Sequence, residues 1–170
     1  IAAHAANPSL YAKLPYDNRN DLAAVSLIGV SPLVAAVNNN APFKNAQELI
    51  AYAKRNPGKV SFGSSGNGAA AHLTTELLKS LTQTDMVHIP YRSSYLPDLF
   101  SGQVQVAITP ISQTIEYIRT NKLHALAVTS SKRSEALPEV PTVADFVPGY
   151  EASGWYGIGA RSSTPPDILD

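Results

Sequence analysis

The sequence predicts an α/β fold, in which short strands alternate with helices and form a largely parallel sheet with helices on both faces. Short apolar segments at 60–63, 85–90 and 104–108 have the composition of buried strands, and the segment between the first two has helical periodicity. Glycine and proline stand at most of the boundaries, as is typical of turns. With 170 residues and 44% hydrophobic content, the chain can bury a sizeable core.

The first third of the chain is predicted to contain a connector, two strand segments and one helix. Residues 1–21 are polar and interrupted by prolines, which is typical of a connector. The apolar segment 25–38 predicts two strand segments with a kink at Ser31-Pro32. The capping-box pattern at 45–48 starts a helix, and Asn56-Pro57-Gly58 ends it.

The centre of the fold is predicted to be a strand, a glycine-rich turn and a helix. Val60 to Gly63 is the strand, and the turn Ser64-Ser65-Gly66-Asn67-Gly68 can bend sharply and let a ligand approach the backbone. From Ala69 onward the pattern predicts an amphipathic helix. Its apolar arc comprises Leu73, Leu77, Leu78 and Leu81, and its polar arc His72, Glu76 and Lys79.

The remaining elements continue the alternation of strands and helices. Residues 91–100 are predicted to be a loop with at most one helical turn, because Pro97 interrupts them. The other predicted elements are a helix at 112–120, a strand at 123–128, a long loop at 130–149, a last strand within 150–160 and a helix start at Thr164-Pro165-Pro166-Asp167.

The start of the central helix is a candidate anion site. A helix start has backbone N–H groups without intrahelical partners and carries the positive end of the helix dipole. The hypothesis is a carboxylate or phosphate site at Ser65 to Ala69; the alternative is that the glycines only form a tight connection. The segment Gly66 to Ala71 also fits the dinucleotide pattern, but the next strand lacks the acidic residue that binds a ribose, and no Gly-Lys-Ser/Thr phosphate motif is present.

Three predicted loops follow strands and should lie at one edge of the sheet, where ligands bind in such folds. They are Ser64 to Gly68, Tyr91 to Ser94 and Thr109 to Ser112.

Composition and spacing exclude several classes of function. Thirteen basic and thirteen acidic residues cancel without runs of either sign, which argues against a nucleic-acid partner. The absence of cysteine excludes disulfides, zinc–thiolate sites and thiol catalysis. The four histidines lack metal-ligand spacing, so no metal and no cofactor are predicted. No apolar run approaches the roughly 20 residues of a membrane span.

A serine hydrolase is the alternative reading of the same loop. Gly63-Ser64-Ser65-Gly66 approaches the nucleophile elbow with Ser65 as nucleophile, but Asn67 replaces the closing glycine. Asp85 with His88 or His124 could complete a triad, although packed or edge histidines are commoner at such positions. His72 is interpreted as an ion-pair partner of Glu76 or a structural hydrogen-bonding group. Because the site is poor in acid–base groups, the chain is predicted not to be an enzyme.

Several sequence blocks, in a fixed order across the chain, resemble the solute-binding receptors of tripartite tricarboxylate transporters, the TctC-like or Bug family. The blocks are Val25-Ser-Leu-Ile-Gly29, Lys59-Val-Ser-Phe-Gly-Ser-Ser-Gly-Asn-Gly68 through His72-Leu73, Met86-Val-His-Ile-Pro-Tyr91, Gly102-Gln-Val-Gln-Val106, Leu123-His-Ala-Leu-Ala-Val-Thr-Ser130, Leu137-Pro-Glu-Val-Pro-Thr-Val143 and Gly154-Trp-Tyr-Gly157.

The resemblance implies a periplasmic-binding-protein type II-like fold of two domains that close on a small organic carboxylate and pass it to membrane permease subunits. It implies a fragment truncated at both ends and without its signal peptide, whose unpaired surface favours dimerisation or segment exchange. The implied organisation is 1–24 as connector and remnant of domain 1, 25–130 as ligand-binding domain 2 with hinge segments near 30–38 and 126–131, and 131–170 as the return to domain 1.

The ligand-facing positions implied by the resemblance are Ser64, Ser65, Gly66, Asn67, Gly68 and Ala69, with Ser31, Tyr91 and Thr109 as neighbours. The chain departs from the family in two places. Arg92 to Pro97 is two residues shorter than the family's block and lacks its glycine, and Thr109 stands where an acidic residue often follows the strand. A ligand-free docking or sensor domain is a further alternative.

Overall fold

The computed structural model of the chain describes residues 2–169, with side chains from residue 6 onward. The helices are α1 Ala2–Leu10, α2 Ala46–Arg55, α3 Ala70–Thr82, α4 Leu96–Ser101, α5 Ile111–Arg119 and α6 Pro166–Leu169, with a 3₁₀ turn at Val143–Asp145. The strands are β1 Leu22–Asn38, β2 Val60–Ser64, β3 Met86–Pro90, β4 Val106–Pro110, β5 Leu123–Val128 and β6 Ser153–Arg161. Strands and helices therefore alternate through the middle of the chain, as predicted.

Within the described residues, the six strands form one mixed sheet. Its order is β3-β2-β4-β1-β5, and β6 pairs with β1. β2 is parallel to β3 and β4, whereas β1 is antiparallel to β4, β5 and β6. Within these residues only β1 runs against the other strands, so every antiparallel pairing involves β1. The predicted α/β class is confirmed.

β1 is one continuous strand that changes partners halfway along. Its first half pairs with β6 as far as Pro32, opposite Ser153, and its second half pairs with β4 and β5 from Leu33 onward. The prediction of two strand segments with a kink was wrong. Proline has no N–H to donate to a ladder, so it is tolerated where the strand exchanges one partner for another.

Helices cover both faces of the sheet, as predicted. Residues 33–38 of β1 are all buried, and alternate side chains face opposite sides. Leu33 and Val37 pack on one side in a cluster with α2 and β2, whereas Ala36 packs on the other side with Leu99 of α4.

Two predicted irregular segments contain helices. Residues 2–10 form α1, a helix that was not predicted, in a stretch rich in alanine, the residue with the highest helix propensity. Ile1 lies outside the described residues. α4 occupies residues 96–101, longer than the single turn expected, because Pro97 stands in its first turn, where the missing N–H does no harm.

The buried face of α3 differs from the predicted apolar arc. Leu78 is buried, but Leu77 and Leu81 are exposed, and Thr75 and Thr82 are buried instead. The hydroxyls of these threonines donate to the carbonyls of Ala71 and Leu78 one turn earlier, so burial leaves them hydrogen-bonded. The leucine positions alone did not predict the buried face, because a threonine whose hydroxyl donates within its own helix can be buried as well.

The C-terminal end agrees with the predicted helix start, since α6 begins at Pro166. Across residues 2–169, every helix is too short or too polar to cross a lipid bilayer.

Candidate functional site

Three parallel strands end side by side at one edge of the sheet. Ser64 ends β2, Pro90 ends β3 and Pro110 ends β4. The N–H of Tyr91 donates to the carbonyl of Ser64 at 2.8 Å, which joins the loops after β2 and β3. The structure therefore places the glycine-rich loop 65–69, the segment after β3 and the start of α5 at the same edge.

The glycine-rich loop is held in place by hydrogen bonds of its own. Ser64 is fully buried, and its Oγ accepts from the N–H of Gly66 at 3.1 Å. The N–H of Gly68 donates to Nδ1 of His72 at 3.0 Å, and the N–H of Ala69 donates to the carbonyl of Gly66 at 3.2 Å. Three N–H groups of the predicted anion-binding segment therefore already donate hydrogen bonds to acceptors within the protein.

The open donors lie at the beginning of α3. Its N-cap residue, Ala69, has no side chain that can cap the helix. Within residues 2–169, no protein acceptor contacts the N–H groups of Ala70, Ala71 and His72, the three positions whose bonds lie outside the helical ladder. The positive end of the α3 dipole therefore has no side-chain partner within these residues.

A comparison of helix starts shows that this opening depends on the edge of the sheet. α2 begins near the start of β5, where the carbonyl of Lys44 lies 2.7 Å from Nε2 of His124, and Asn45 caps it by accepting from the N–H of Glu48. α5 begins directly after β4 and, like α3, has no side-chain cap. α4, which follows β3, has no side-chain cap at Tyr95 either, and these three helices all follow strands that end at the candidate site.

Two predicted site residues in the loop face solvent. The side chains of Ser65 and Asn67 are exposed, and no protein acceptor contacts their N–H groups within the described part of the chain. Gly68 has φ +77°, which favours glycine, and the side chain of Leu10 at the end of α1 lies against it. The loop is therefore open on the Ser65–Asn67 side and covered by α1 at Gly68.

Tyr91 and Thr109 are engaged by neighbouring side chains. The hydroxyl of Tyr91 donates to Oδ2 of Asp98 at 2.5 Å, and burial together with this carboxylate raises the pKa of Tyr91 to about 12. Thr109 is fully buried, and its hydroxyl accepts from Tyr95 at 2.5 Å and donates to Gln113 at 3.1 Å. Burial also raises the pKa of Tyr95.

Tyr95 belongs to this edge of the sheet, although sequence reasoning did not select it. It packs against Gly63, where an added Cβ would lie 3.0 Å from the Cβ of Tyr95. The available signal was an aromatic residue in the short segment that follows β3. In the sequence it was considered only as part of the segment that differs from the family pattern.

A groove runs along α3 from the open amides. It has a volume of about 320 Å³ and lies between one stripe of α3 and the start of β6. Its lining residues are Ala70, Leu73, Thr74, Leu77, Glu151, Ala152, Ser153, Gly154 and Trp155. Ser31 pairs with Gly154 on the neighbouring strand and is half-buried. The groove offers apolar surface directly beside the candidate anion site.

Two histidines stack behind the loop. The ring centroids of His72 and His88 are 4.0 Å apart with an interplanar angle of 17°, and Phe62 stacks on His88 at 4.9 Å. Nε2 of His88 lies 2.6 Å from Oγ of Ser64. Burial lowers the pKa of His88, and the nearby His72 and Lys79 lower it further while Glu76 raises it.

The residues named for the hydrolase alternative do not assemble around Ser65. Within residues 2–169, no hydrogen bond joins Ser65 to a histidine or an acid. His124 contacts the carbonyl of Lys44, and the serine beside His88 is the buried Ser64. The site as built is a set of backbone donors with a neighbouring groove, which suits binding.

Comparisons with known proteins match the chain to one family. The profile of the family described as "Tripartite tricarboxylate transporter family receptor", TctC, matches residues 1–170. Protein BugT of Bordetella pertussis is 38% identical over 164 residues, covering 95% of this chain and 50% of BugT. The chain spans about half the length of the curated relatives it matches.

Two similar solved structures contain small carboxylic acids. R. palustris Rpa4515 with adipate is 33% identical, with a TM-score of 0.84, and the match covers 94% of this chain and 54% of that one. MatC (Rpa3494) from Rhodopseudomonas palustris with bound malate is 26% identical, also with a TM-score of 0.84, covering 99% and 57%.

Proposed function

Because this chain belongs to the TctC family of tripartite tricarboxylate transporter receptors, we propose that it captures a small organic carboxylate at the start of α3. The carboxylate oxygens accept hydrogen bonds from the N–H groups of Ala70, Ala71 and His72. The observation that carries this proposal is that these three donors have no capping side chain at Ala69 and no acceptor within residues 2–169.

The electrostatics at this position favour an anion. The unpaired N–H groups and the aligned peptide dipoles together give the beginning of a helix a partial positive charge. The chain has a formal net charge of zero, so attraction of an anion depends on this local field and not on the protein as a whole. The exposed N–H groups of Ser65 and Asn67 provide further donors on the open side of the loop.

The proposed ligand class is a small dicarboxylate. Rpa4515 was solved with adipate and MatC with malate, and both structures share the fold of this chain. The groove of about 320 Å³ next to Ala70 accommodates the carbon skeleton of such an acid. Leu73 and Trp155, which line the groove, supply apolar contacts.

The proposed role of the whole protein is capture without chemistry. A longer receptor containing this chain binds its ligand in the periplasm and delivers it to permease subunits of a tripartite transporter. In this proposal residues 25–130 form the ligand-binding domain, and the segments near 30–38 and 126–131 are hinges. The flanking residues 1–24 and 131–170 connect to the other domain. The partner change in β1 at Pro32 and Leu33 supports a boundary at the first hinge.

A cap introduced at Ala69 tests the proposal. Ala69 has φ −63° and ψ 156°, the extended conformation of an N-cap residue, so Ala69→Asp can accept from the N–H groups that the ligand needs. The variant is expected to gain about 1 kcal/mol in stability from the cap. It should also lose the thermal stabilisation that adipate or malate gives the unmodified chain, because the new carboxylate occupies the donors and repels the anion.

Two controls separate this effect from others. Asn45→Ala removes the existing cap of α2, costs about 1 kcal/mol and should leave the response to adipate unchanged. Adipamide has the same carbon skeleton without charge and should stabilise neither form. If adipate and malate fail to stabilise the unmodified chain, or stabilise Ala69→Asp equally, the proposed site is wrong. Failure of every carboxylate favours a ligand-free docking domain.

A further inference from the structure

We infer that His72 and His88 act as a stacked positioning pair that holds the glycine-rich loop in its ligand-receiving conformation only while Nδ1 of His72 is unprotonated. This inference rests on the proposed carboxylate site and adds the residues that shape it. The family resemblance assigned positions in the loop and at strand ends, and neither histidine was among them.

The two rings reach the loop through separate hydrogen bonds. His72 receives the N–H of Gly68 at Nδ1, at 3.0 Å. His88 contacts Oγ of Ser64 at 2.6 Å, and the same Oγ accepts the N–H of Gly66 at 3.1 Å. The stacked pair therefore fixes both glycines of the loop, one directly and one through a buried serine.

The protonation state follows from the bond to Gly68. An imidazole nitrogen that accepts an N–H must carry a lone pair, so the neutral ring of His72 has its proton on Nε2. A proton added to Nδ1 removes this acceptor and turns it into a second donor that faces the N–H of Gly68. Acidification therefore releases Gly68 at the point where the loop meets α3.

The stacking also makes it unfavourable for both imidazole rings to be charged at once. With ring centroids 4.0 Å apart, two imidazolium ions repel, and the second proton binds less readily than the first. The charged groups facing the pair are Glu76 and Lys79 of α3. Oε1 of Glu76 lies 3.9 Å from Nε2 of His72 and 2.7 Å from Nζ of Lys79, which offsets most of its charge.

Phe62 of β2 is an uncharged neighbour of the pair and stacks on His88. The charged Nζ of Lys79 lies 5.6 Å from the centroid of the Phe62 ring. The lowered pKa of His88, caused first by burial and then by His72, agrees with a ring that is neutral at neutral pH.

The first experiment needs no ligand. The amide resonances of Gly66 and Gly68 are followed by nuclear magnetic resonance from about pH 8 to about pH 5 in the unmodified chain. The Gly68 resonance is expected to move over this pH range and to stay fixed in His72→Asn, whose side-chain oxygen replaces Nδ1 as acceptor and cannot take up a proton. The inference is wrong if the Gly68 amide resonance does not change with pH, or if it still changes with pH in His72→Asn. This result does not depend on what the chain binds.

The second experiment compares variants with and without the acceptor. At about pH 8, His72→Leu is expected to bind adipate about fivefold more weakly than His72→Asn, the loss typical of one positioning hydrogen bond. His88→Leu should likewise bind more weakly than His88→Gln, which keeps a polar atom near Oγ of Ser64. Denaturant unfolding of all four variants gives their stabilities independently.

The two experiments distinguish the possible failures. Equal adipate affinity within each pair, with a titrating Gly68 amide, means that the pair holds the loop without setting affinity and overturns the positioning role. Absence of adipate binding by the unmodified chain contradicts the proposed function, while the Gly68 profile still decides whether the histidines hold the loop.

Discussion

The side chain of Leu10 lies directly against Gly68, so the end of α1 covers the second glycine of the loop that leads into α3. A Cβ added at this position would lie 2.3 Å from Cδ1 of Leu10, so the end of the leucine side chain would have to move. A segment expected to be a connector is therefore in contact with the candidate site, and the conformation of the loop depends on it.

Gly68→Ala is expected to destabilise the chain more than a glycine substitution of equal backbone strain. Gly68 has φ +77°, and Gly149 has φ +83° with nothing within 4 Å of its added Cβ. The left-handed conformation costs an alanine about 1–2 kcal/mol at either position. Gly68→Ala adds the collision with Leu10, so its loss of unfolding free energy should exceed that of Gly149→Ala.

Denaturant unfolding measures this difference, and Leu10→Ala provides the check. Combined with Gly68→Ala, it should recover the excess loss, because the truncated side chain no longer meets the new Cβ. Equal losses for the two alanine substitutions would show that α1 does not press on the loop.

Tyr91 is expected to ionise at about pH 12 in the folded chain, well above its ordinary value of 10.0. Burial and the bond to Asp98 both favour the neutral phenol. Because the folded pKa is raised, this contribution to stability is complete below pH 10 and is lost as pH rises from about 10 to about 12. Ultraviolet absorbance titration measures the ionisation, with Tyr91→Phe identifying the signal.

Asp98→Asn tests the cause of the shift. Removal of the carboxylate charge should lower the pKa of Tyr91 towards 10, leaving the part due to burial. A Tyr91 that titrates at its ordinary value in the unmodified chain would show that its hydroxyl is not bonded to Asp98 in solution.

The ribbon formed by the first half of β1 and β6 is expected to make the isolated chain self-associate. Within the described residues this half of β1 pairs with β6 alone. Its exposed apolar side chains are Leu22, Val25, Leu27, Ile28, Val30, Trp155, Tyr156 and Ile158. Two-stranded ribbons are marginally stable alone, and an apolar surface of this kind favours association. We propose that a second copy of the chain covers it.

Sedimentation velocity checks this expectation across protein concentration. Ile28→Lys, at a side chain 68% exposed, should shift the equilibrium towards monomer. Leu81→Lys, at an exposed leucine on α3 outside the ribbon, should leave it unchanged. A chain that is monomeric at all concentrations, or that responds equally to both substitutions, contradicts the role of the ribbon.

The sequence predicted those features that depend on short-range patterns. Apolar runs located β2, which begins shortly after Gly58 and includes Gly63, and β5, and the capping pattern located the start of α2 through Asn45. The direction of β1 was not predicted, because a uniformly apolar strand reads the same whether its neighbours are parallel or antiparallel. Long-range pairing at Pro32 and Leu33 decides that direction.

The glycine-rich loop and the helix after it were predicted from the sequence, but the hydrogen bonds inside the loop were not. Two glycines and small polar residues before a helical pattern were the signal. The sequence did not predict that Gly68 donates to His72 or that His88 reaches Ser64, since these contacts join different elements of the fold. Anion binding was therefore predicted for the amides of the loop, whereas we propose it for the N–H groups in the first turn of α3.

The most direct test of the proposed site is a titration of the isotope-labelled chain with adipate, followed by amide nitrogen–proton correlation spectra. Adipate is expected to cause saturable shifts that are largest at the N–H groups of Ala70, Ala71 and His72, and adipamide is expected to cause none. The uncapped start of α5, at Ile111, provides a comparison within the same spectrum. Shifts confined to α5 or spread over the surface, with the α3 amides unmoved, would contradict the proposed site.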